Sequence, residues 1–210
     1  MSIDLATIAR MEQRPLPGHG DFLELSGYQR PDLAQVRLRR PEPKESAVLL
    51  LLYPEAGSMH TLLMLRPTYQ GVHSGQVGFP GGHREAYDVD LRATALREFG
   101  EEIGAATGNV RVIREMTPVY IPPSHSVVTP VLAYAPQLGP TAPDPREVAG
   151  LIPIAVAHLL RDDILKRTRM FVKAVGHELD VPYWDVDGHM VWGATALMIA
   201  ELRALFREDL

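Results

Sequence analysis

Arg97-Glu98-Phe99-Gly100-Glu101-Glu102-Ile103-Gly104 is the stretch that decides the fold, because it combines a helix pattern with a cluster of carboxylates. Glu98, Glu101 and Glu102 are spaced i, i+3 and i+4, which predicts three carboxylates on one helix face. Like charges at this spacing destabilise a helix by about 0.2–0.5 kcal/mol per pair. A solvated acidic face is one interpretation, and a site for a hard divalent cation, which prefers carboxylate oxygens, is the other.

The same stretch lies at the end of a predicted helix from Leu91 to Ile103. Asp90 is the expected N-cap, and Gly104 stands where a left-handed C-cap residue belongs. The apolar residues repeat at i, i+3 and i+7, which predicts a buried stripe that would fix the carboxylates rigidly. The stripe consists of Leu96, Phe99 and Ile103.

A glycine-rich turn, Gly78-Phe-Pro-Gly-Gly82, precedes this helix. Paired glycines allow the backbone to approach a ligand closely. A loop of this kind that leads into a carboxylate helix can offer carbonyl oxygens to a metal and N–H groups to a phosphate. This neighbourhood favours the metal-site interpretation over the solvated face.

The glycine-rich loop and the helix together resemble the sequence motif of a known family. Gly82-x5-Asp88-x8-Arg97-Glu98-Phe99-x-Glu101-Glu102-x-Gly104-Ala105 is similar to the Nudix box, with Asp88 in place of the usual Glu and one extra residue before Arg97. The resemblance implies an α/β (α+β) fold, an α/β/α sandwich with a central mixed sheet and a loop-helix-loop catalytic motif. It also implies hydrolysis of a nucleoside diphosphate linked to another moiety, with Mg²⁺ or Mn²⁺ as cofactor.

The resemblance further implies residue roles. Glu98 and Glu102 would be the chief metal ligands, the Gly82 carbonyl a further contact, and Glu101 a ligand or the catalytic base. Arg97, at i−4 from Glu101, would orient it and is counted with the catalytic residues. An extra acid is expected from the region of Glu147 in some members, although a plain carboxylate at the start of a strand is the favoured interpretation here.

The sequence upstream of the box bears on the substrate. Leu63-Met-Leu-Arg66-x8-Gly75-Gln-Val-Gly-Phe-Pro-Gly-Gly82 resembles the extended motif of coenzyme A pyrophosphatases, which split CoA into 3′,5′-ADP and 4′-phosphopantetheine. Pro67 and Gly71 depart from that motif, which carries a small residue and a second arginine there. The substrate contacts expected from this resemblance are Arg66, His73, Gly81, Gly82 and Arg84.

Other functions remain open from the sequence. Another Nudix activity would act on ADP-ribose, NADH, a dinucleoside polyphosphate or an oxidised nucleoside triphosphate. A Nudix-fold binding module without turnover is a second alternative, and the complete set of Glu98, Glu101 and Glu102 argues against it.

Composition limits the remaining choices. The chain has 210 residues, a net charge of −5 and no cysteine, which excludes disulfides and thiolate metal sites. We expect one domain over 1–210, with an N-terminal arm at 1–45 packed on a core at 46–210. The acidic balance argues against a nucleic-acid partner, and the resemblance implies a small-molecule, CoA-like nucleotide substrate. Apolar runs are too short for a membrane partner, so a cytoplasmic enzyme is predicted, with room for a homodimer.

The remaining elements are predicted from apolar runs and turn signals. A short helix is expected within 2–12, a loop over 67–83, and a last helix over 194–208. Asp187-Gly188 is a hairpin signal between two strands. Strands are expected at 47–53, 61–66, 110–115, 117–121, 127–134, 147–154, 170–175, 183–186 and 189–192.

Overall fold

The computed structural model describes residues 5–25, 30–68, 74–172 and 176–207. Within these ranges none of the helices is both long and apolar enough to cross a membrane. The helices are α1 Leu5–Met11, α2 Gly20–Leu25, α3 Leu33–Arg37, α4 Leu91–Ile103, α5 Val156–Leu159 and α6 Gly193–Arg207. The strands are β1 Lys44–Glu55, β2 Ser58–Leu65, β3 Val77–Gly78, β4 Gly81–His83, β5 Arg111–Glu115, β6 Val119–Ile121, β7 Ser126–Tyr134, β8 Gly150–Ala155, β9 Leu165–Val172, β10 His177–Val186 and β11 His189–Val191.

A mixed sheet organises the chain around β1. This strand pairs antiparallel with β2 and β4, and parallel with β7. β8 and β3 extend the sheet from β2, while β5 and β6 extend it from β7. β9, β10 and β11 form a separate three-stranded antiparallel sheet. The predicted mixed-sheet sandwich is confirmed.

Both faces of β1 are buried, as its continuous apolar run predicts. Leu50 and Leu52 pack with α6 and the three-stranded sheet, whereas Leu49 and Leu51 pack against α4. Side chains alternate between the faces of a strand, so one apolar run serves two cores. The sheet therefore separates α4 on one side from α6 and the N-terminal helices on the other.

The helix α4 begins and ends at the predicted residues. The Asp90 side chain accepts the N–H of Ala93 at 2.8 Å, and Gly104 adopts the left-handed conformation with φ +69°. Beyond the helix, the Ala142 N–H donates to Ile103 O and the Asp144 N–H donates to Glu102 O, both at 3.0 Å. These bonds satisfy carbonyls that a helix end leaves without partners, so a distant loop is held at the end of α4.

The described part of the N-terminal arm packs on the core. The ring of Phe22 lies 5.2 Å from that of Trp184. Arg114 donates to the Met11 carbonyl at 2.8 Å, and the Gly18 N–H donates to the buried Glu201 carboxylate at 3.2 Å. These contacts agree with the predicted arm, and the single-domain boundary stays a prediction.

Three expectations about elements need correction. The predicted loop over 67–83 contains β3 and β4, because its glycines let short strands pair with β2 and β1. Glu147 lies in a turn tied to Asp144 rather than in a strand, which begins at Gly150. β9 and β10 are longer than predicted, and they pair along eight positions.

The close approach at Gly104 generates a stability prediction. A Cβ there would overlap the Ala142 backbone, and φ is positive. We expect Gly104→Ala to lower the free energy of unfolding by roughly 2 kcal/mol or more, since both the backbone conformation and the space are wrong for alanine. Urea unfolding measures this change. Gly108→Ala, which meets no atom within 4 Å, is the control and should change stability by about 0.5 kcal/mol at most. Equal effects of the two variants would contradict the account of the loop contact.

Candidate active site

The glycine pair Gly81–Gly82 is pressed between β1 and α4. In the pairing of β4 with β1, Gly81 is opposite Val48 and Gly82 is opposite Ala47. A Cβ on Gly81 would lie 2.5 Å from Val48 Cα, and one on Gly82 would lie 2.5 Å from the Glu98 carboxylate. Only glycine permits both contacts, so the loop can bring its backbone directly against the carboxylate helix.

Glu102 is the most deeply placed carboxylate of the helix, with 1% of its surface exposed. Its Oε2 accepts the Gly81 N–H at 2.6 Å, and its Oε1 lies 3.4 Å from Nη2 of Arg66. The same Nη2 donates to the Gly81 carbonyl at 3.2 Å. Burial raises the pKa of Glu102 to about 7, against the opposing effects of Arg66 and the Gly81 N–H.

Glu98 lies one turn before Glu102 and is half-buried. Its Oε1 accepts from Nη1 of Arg97 at 2.8 Å. Burial raises the pKa of Glu98, the ion pair with Arg97 opposes this, and the negative charges of Glu101 and Glu147 add to the rise. Two carboxylates that are both costly to ionise stand together here, which is favourable for a bound cation.

Arg97 connects the loop and the helix. Its Nε and Nη2 donate to the two oxygens of the buried Asp88 at 3.0 and 2.9 Å, and Nη2 also donates to the His83 carbonyl at 2.9 Å. The hydrogen bond from Arg97 holds the pKa of Asp88 well below its usual range. Asp88, which stands where the Nudix box usually has Glu, therefore still forms a tight ion pair with Arg97. Arg97 thus links the loop to Glu98 and Glu101, and its expected catalytic role stays a prediction.

Glu101 differs from the other two carboxylates. Its side chain is 58% exposed, and its Oε2 accepts from Arg97 at 2.9 Å. Glu101 shares Nη1 of Arg97 with Glu98, and its role as a metal ligand or as the base stays a prediction. Among the residues described, no three or more His, Cys, Asp or Glu side chains are grouped closely enough to hold a metal ion.

Glu147 joins the buried pair from a different part of the chain. It lines the same cavity as Glu98 and Glu102 and contributes to the raised pKa of both. Its position follows from the loop that caps α4, since the Glu147 N–H donates to Asp144 O in that loop. The interpretation of Glu147 as a plain carboxylate at the start of a strand did not predict this position beside Glu98 and Glu102. The C-cap at Gly104 was the available signal that a segment packs there.

The carboxylates stand at the polar end of a cavity of about 1170 Å³. Of the expected substrate contacts, Arg66, Gly81 and Gly82 line this cavity. Arg84 lies outside the lining of this cavity and pairs with Glu45 at 2.9 Å, and its substrate contact stays a prediction. His73 and Gly71 lie outside the described residues. Most of the remaining lining is apolar, and it comes from α2, α6 and the three-stranded sheet together with β1, β3, β6, β7 and the loops beside them.

The donor set at the polar end fits Mg²⁺ or Mn²⁺. Mg²⁺ keeps several waters and is commonly bound by one or two carboxylates together with substrate phosphates. Glu98 and Glu102 provide two carboxylates, and the absence of a side chain on Gly82 lets the Glu98 carboxylate lie directly against the loop backbone. A bound divalent ion would neutralise diphosphate charge and lower the pKa of a bound water.

Comparisons with known proteins agree with this fold and site. The family model of the NUDIX domain matches residues 43–174. Human mitochondrial coenzyme A diphosphatase NUDT8 is 36% identical over 168 residues, which cover 79% of this chain and 70% of that protein. The chloroplastic Nudix hydrolase 22 of Arabidopsis thaliana is 32% identical over 180 residues, 82% of this chain and 57% of that protein.

A solved structure supports the fold alone. The Nudix hydrolase RenU from M. smegmatis superposes with a TM-score of 0.51 at 19% identity, covering 79% of this chain and 87% of that one. Fold, loop and carboxylate helix define a pyrophosphohydrolase, an enzyme that hydrolyses an acid anhydride. The chain belongs to the Nudix family, whose members act on nucleotide derivatives and generally use divalent metal ions such as Mg²⁺ or Mn²⁺.

The different exposure of the three glutamates generates a prediction. Glu98→Gln and Glu102→Gln should each lower turnover roughly 100-fold or more, because each weakens a proposed metal contact. Glu101→Gln should stay within about tenfold of the parent, because its contact is an exposed ion pair. Initial rates with saturating Mg²⁺ measure both.

Unfolding provides the control for these variants. Millimolar Mg²⁺ should raise the melting temperature of the parent, since the ion binds the folded state only. The rise should shrink in Glu98→Gln and Glu102→Gln, and in EDTA both should melt no lower than the parent. Near-parental turnover in both, or loss of activity only through unfolding, would refute the metal site.

Proposed function

We propose that this protein is a metal-dependent hydrolase that cleaves the diphosphate of coenzyme A or acyl-CoA. The products are 3′,5′-ADP and 4′-phosphopantetheine or its acyl derivative. One observation carries the proposal: Arg66, from the motif that resembles coenzyme A pyrophosphatases, contacts both Gly81 and the catalytic-helix residue Glu102. The two motifs thus meet at the polar end of one cavity.

In this proposal the residues at the polar end of the cavity have separate roles. Glu98, Glu102 and the Gly82 carbonyl hold the cation or cations, and Arg97 fixes Glu98 relative to the loop. Glu147 is the proposed general base, because it lines the cavity while Glu101 is turned to solvent. A base must lie within reach of the attacking water, which favours the residue inside the cavity.

The shape of the cavity supports a CoA compound over a smaller nucleotide. Its volume, about 1170 Å³, exceeds the roughly 300–1,000 Å³ typical of small-ligand sites. Apolar side chains dominate away from the carboxylates, which suits a pantetheine arm better than the second ribose of ADP-ribose or NADH. The described arm and the C-terminal elements complete this cavity, in agreement with one domain over 1–210. The cytoplasmic location and the homodimer stay predictions.

Product analysis tests the substrate. Purified protein is incubated with CoA, acetyl-CoA, ADP-ribose or NADH, each with Mg²⁺ and with Mn²⁺, and the products are identified by mass spectrometry. We expect 3′,5′-ADP and phosphopantetheine from CoA, with slower consumption of ADP-ribose and NADH. Glu98→Gln, prepared in the same way, controls for contaminating hydrolases. Rapid cleavage of ADP-ribose or NADH with CoA intact would assign the protein to a different Nudix activity.

The position of Arg66 generates a further prediction. Arg66→Met should lower kcat roughly 10- to 100-fold with CoA and dephospho-CoA alike, because Glu102 loses a charged partner whatever the substrate carries at its 3′ position. Arg84→Met, an arginine outside the cavity, is the matched control. A loss seen with CoA and absent with dephospho-CoA would instead assign Arg66 to the 3′-phosphate.

A further inference from the structure

The strand β4 has a glycine on the side of α4 and a histidine on its other side. A Cβ on Gly82 would lie 2.5 Å from the Glu98 carboxylate. Successive residues of a strand point to opposite faces, so the side chain of His83 is directed away from α4. It is exposed, and it lines the same cavity as Glu98 and Glu102. Because consecutive Cα atoms are about 3.8 Å apart, His83 lies one residue from the backbone that contacts the carboxylate helix.

The imidazole ring of His83 is held by a serine of the neighbouring strand. His83 is directly opposite Ser46 in the pairing of β4 with β1, and Nδ1 of its ring lies 2.8 Å from the Ser46 hydroxyl oxygen. Ser46 is buried and also lines the cavity. The His83 carbonyl accepts from Nη2 of Arg97 at 2.9 Å. The backbone and the ring of His83 are therefore both held by groups of the protein.

The contact with Ser46 determines which ring nitrogen of His83 carries the hydrogen. A neutral imidazole has one donor nitrogen and one acceptor nitrogen, and a serine hydroxyl has one hydrogen to donate. Within the described residues, Nδ1 of His83 is the bonding partner of the Ser46 hydroxyl. Because buried polar groups are hydrogen-bonded, Ser46 donates to Nδ1, and the ring hydrogen is on Nε2. The protonated ring has a hydrogen on Nε2 as well, so this nitrogen is a donor in both states.

The cavity reaches both faces of β4. Among the strands described, β4 pairs with β1 alone, which leaves its other edge open. Glu98 and Glu102 line the cavity on the side of α4, and His83 lines it on the opposite side. A diphosphate at the open edge of β4 can therefore contact the carboxylate-bound cation of the proposed function through one phosphate group and Nε2 of His83 through the other.

Cleavage of a diphosphate places negative charge on the phosphate group that leaves. The water oxygen forms a bond to one phosphorus, the bond from that phosphorus to the bridging oxygen breaks, and the bridging oxygen leaves with the electron pair. The proton of the water goes to the general base, which is Glu147 in the proposed function. Phosphoryl transfer is catalysed mainly by positioning and electrostatic stabilisation. A fixed N–H that faces the leaving phosphate stabilises its charge without a proton transfer of its own.

We propose that Nε2 of His83 donates a hydrogen bond to the leaving phosphate group of the substrate, and that Ser46 is the positioning residue that fixes the ring for this contact. The assignment rests on the diphosphate hydrolysis of the proposed function and does not depend on CoA as the substrate. Lys44 and Glu85 line a smaller pocket together with His83. Their charges are opposite and offset each other, so the oriented N–H is the feature of this side that recognises a phosphate.

Nitrogen NMR of labelled histidine side chains tests the ring directly. At mildly alkaline pH, where histidine rings are neutral, we expect the Nε2–H tautomer for His83, whose signals are assigned by their loss in His83→Gln. Methylenediphosphonate with Mg²⁺, a diphosphate mimic without a bridging oxygen, should shift the Nε2 signal. In Ser46→Ala both tautomers should be populated. An Nδ1–H tautomer in the parent, or an Nε2 signal that saturating methylenediphosphonate leaves in place, would overturn the proposal.

Kinetic variants separate the donor from the ring that carries it. His83→Phe should lower kcat roughly 10- to 100-fold, because one oriented donor to the developing charge is lost. His83→Gln, whose amide nitrogen can take the place of Nε2, should return kcat to within about fivefold of the parent. KM should change less than kcat, since the contact strengthens as the bond breaks. Rates are measured with whichever of CoA, ADP-ribose and NADH the parent cleaves fastest.

A double-mutant cycle tests the role of Ser46. Ser46→Ala should lower kcat roughly 3- to 10-fold in the parent and cause no further loss in His83→Phe, because its effect acts through the ring. Ser58 and His60 form a similar contact of 3.5 Å outside the cavity lining. Ser58→Ala and His60→Phe are therefore the matched controls and should leave kcat unchanged. Equal losses from Ser46→Ala in both backgrounds would overturn its positioning role.

The outcomes separate this inference from the proposed function. Parental kcat in His83→Phe, or a loss that His83→Gln does not restore, would overturn the donor and leave the hydrolase activity in place. Cleavage of ADP-ribose or NADH with CoA intact would overturn the CoA assignment and leave the role of His83 in place. If none of these substrates were cleaved, the proposed function would fail, and the NMR titration with methylenediphosphonate would still decide whether His83 binds a diphosphate.

Discussion

The hydrogen bond from the Gly81 N–H to the buried carboxylate of Glu102 is the contact on which the site depends. It joins the glycine loop to the helix α4 at 2.6 Å, and it requires Gly81 to lie against β1 without a side chain. Because β1 lies inside the sheet and is buried on both faces, the loop takes its position from the core. The carboxylates of α4 are therefore placed relative to the core, and a displacement of either β1 or α4 would move the loop and its ligands together.

Holding Glu102 in this place opposes stability, since burial makes its ionised form costly. The chain offsets this in part with Arg66 and the Gly81 N–H, which favour the charged form. Glu98 and Glu147 act in the other direction, because their negative charges are close. The part of the burial cost that these partners do not offset favours function, since a divalent ion that binds there would relieve it. In the proposed function, the carboxylates whose burial opposes stability would thus favour a bound divalent ion.

Local signals in the sequence predicted α4 with both of its ends, because Asp90 and Gly104 act through neighbouring atoms only. The burial of β1 on both faces was also predictable, since a continuous apolar run without polar alternation is typical of a strand that is covered on both sides. The orientation of Glu101 and the approach of Glu147 were not, because they depend on contacts between distant segments. Arg97 has acceptors on the loop, Asp88 and the His83 carbonyl, and on the helix, Glu98 and Glu101. Glu147 is positioned by hydrogen bonds from the 142–144 loop to the end of α4. No periodicity in the sequence predicts a loop of this kind.

The residues proposed for the chemistry and the residues that line the rest of the cavity come from different parts of this protein. The loop and α4, which carry the carboxylates, lie within the segment that the family shares. The rest of the cavity is lined by β1, β3, β6, β7 and β9, which also lie within that segment, and by α2, β10 and α6, which lie outside it. These elements contact the sheet mainly through apolar side chains such as Phe22 and Trp184, which tolerate exchange of shape better than a hydrogen-bonded carboxylate does. A change of substrate can therefore proceed through the apolar enclosure while the Gly81–Glu102 contact, and the metal chemistry that depends on it, stays in place.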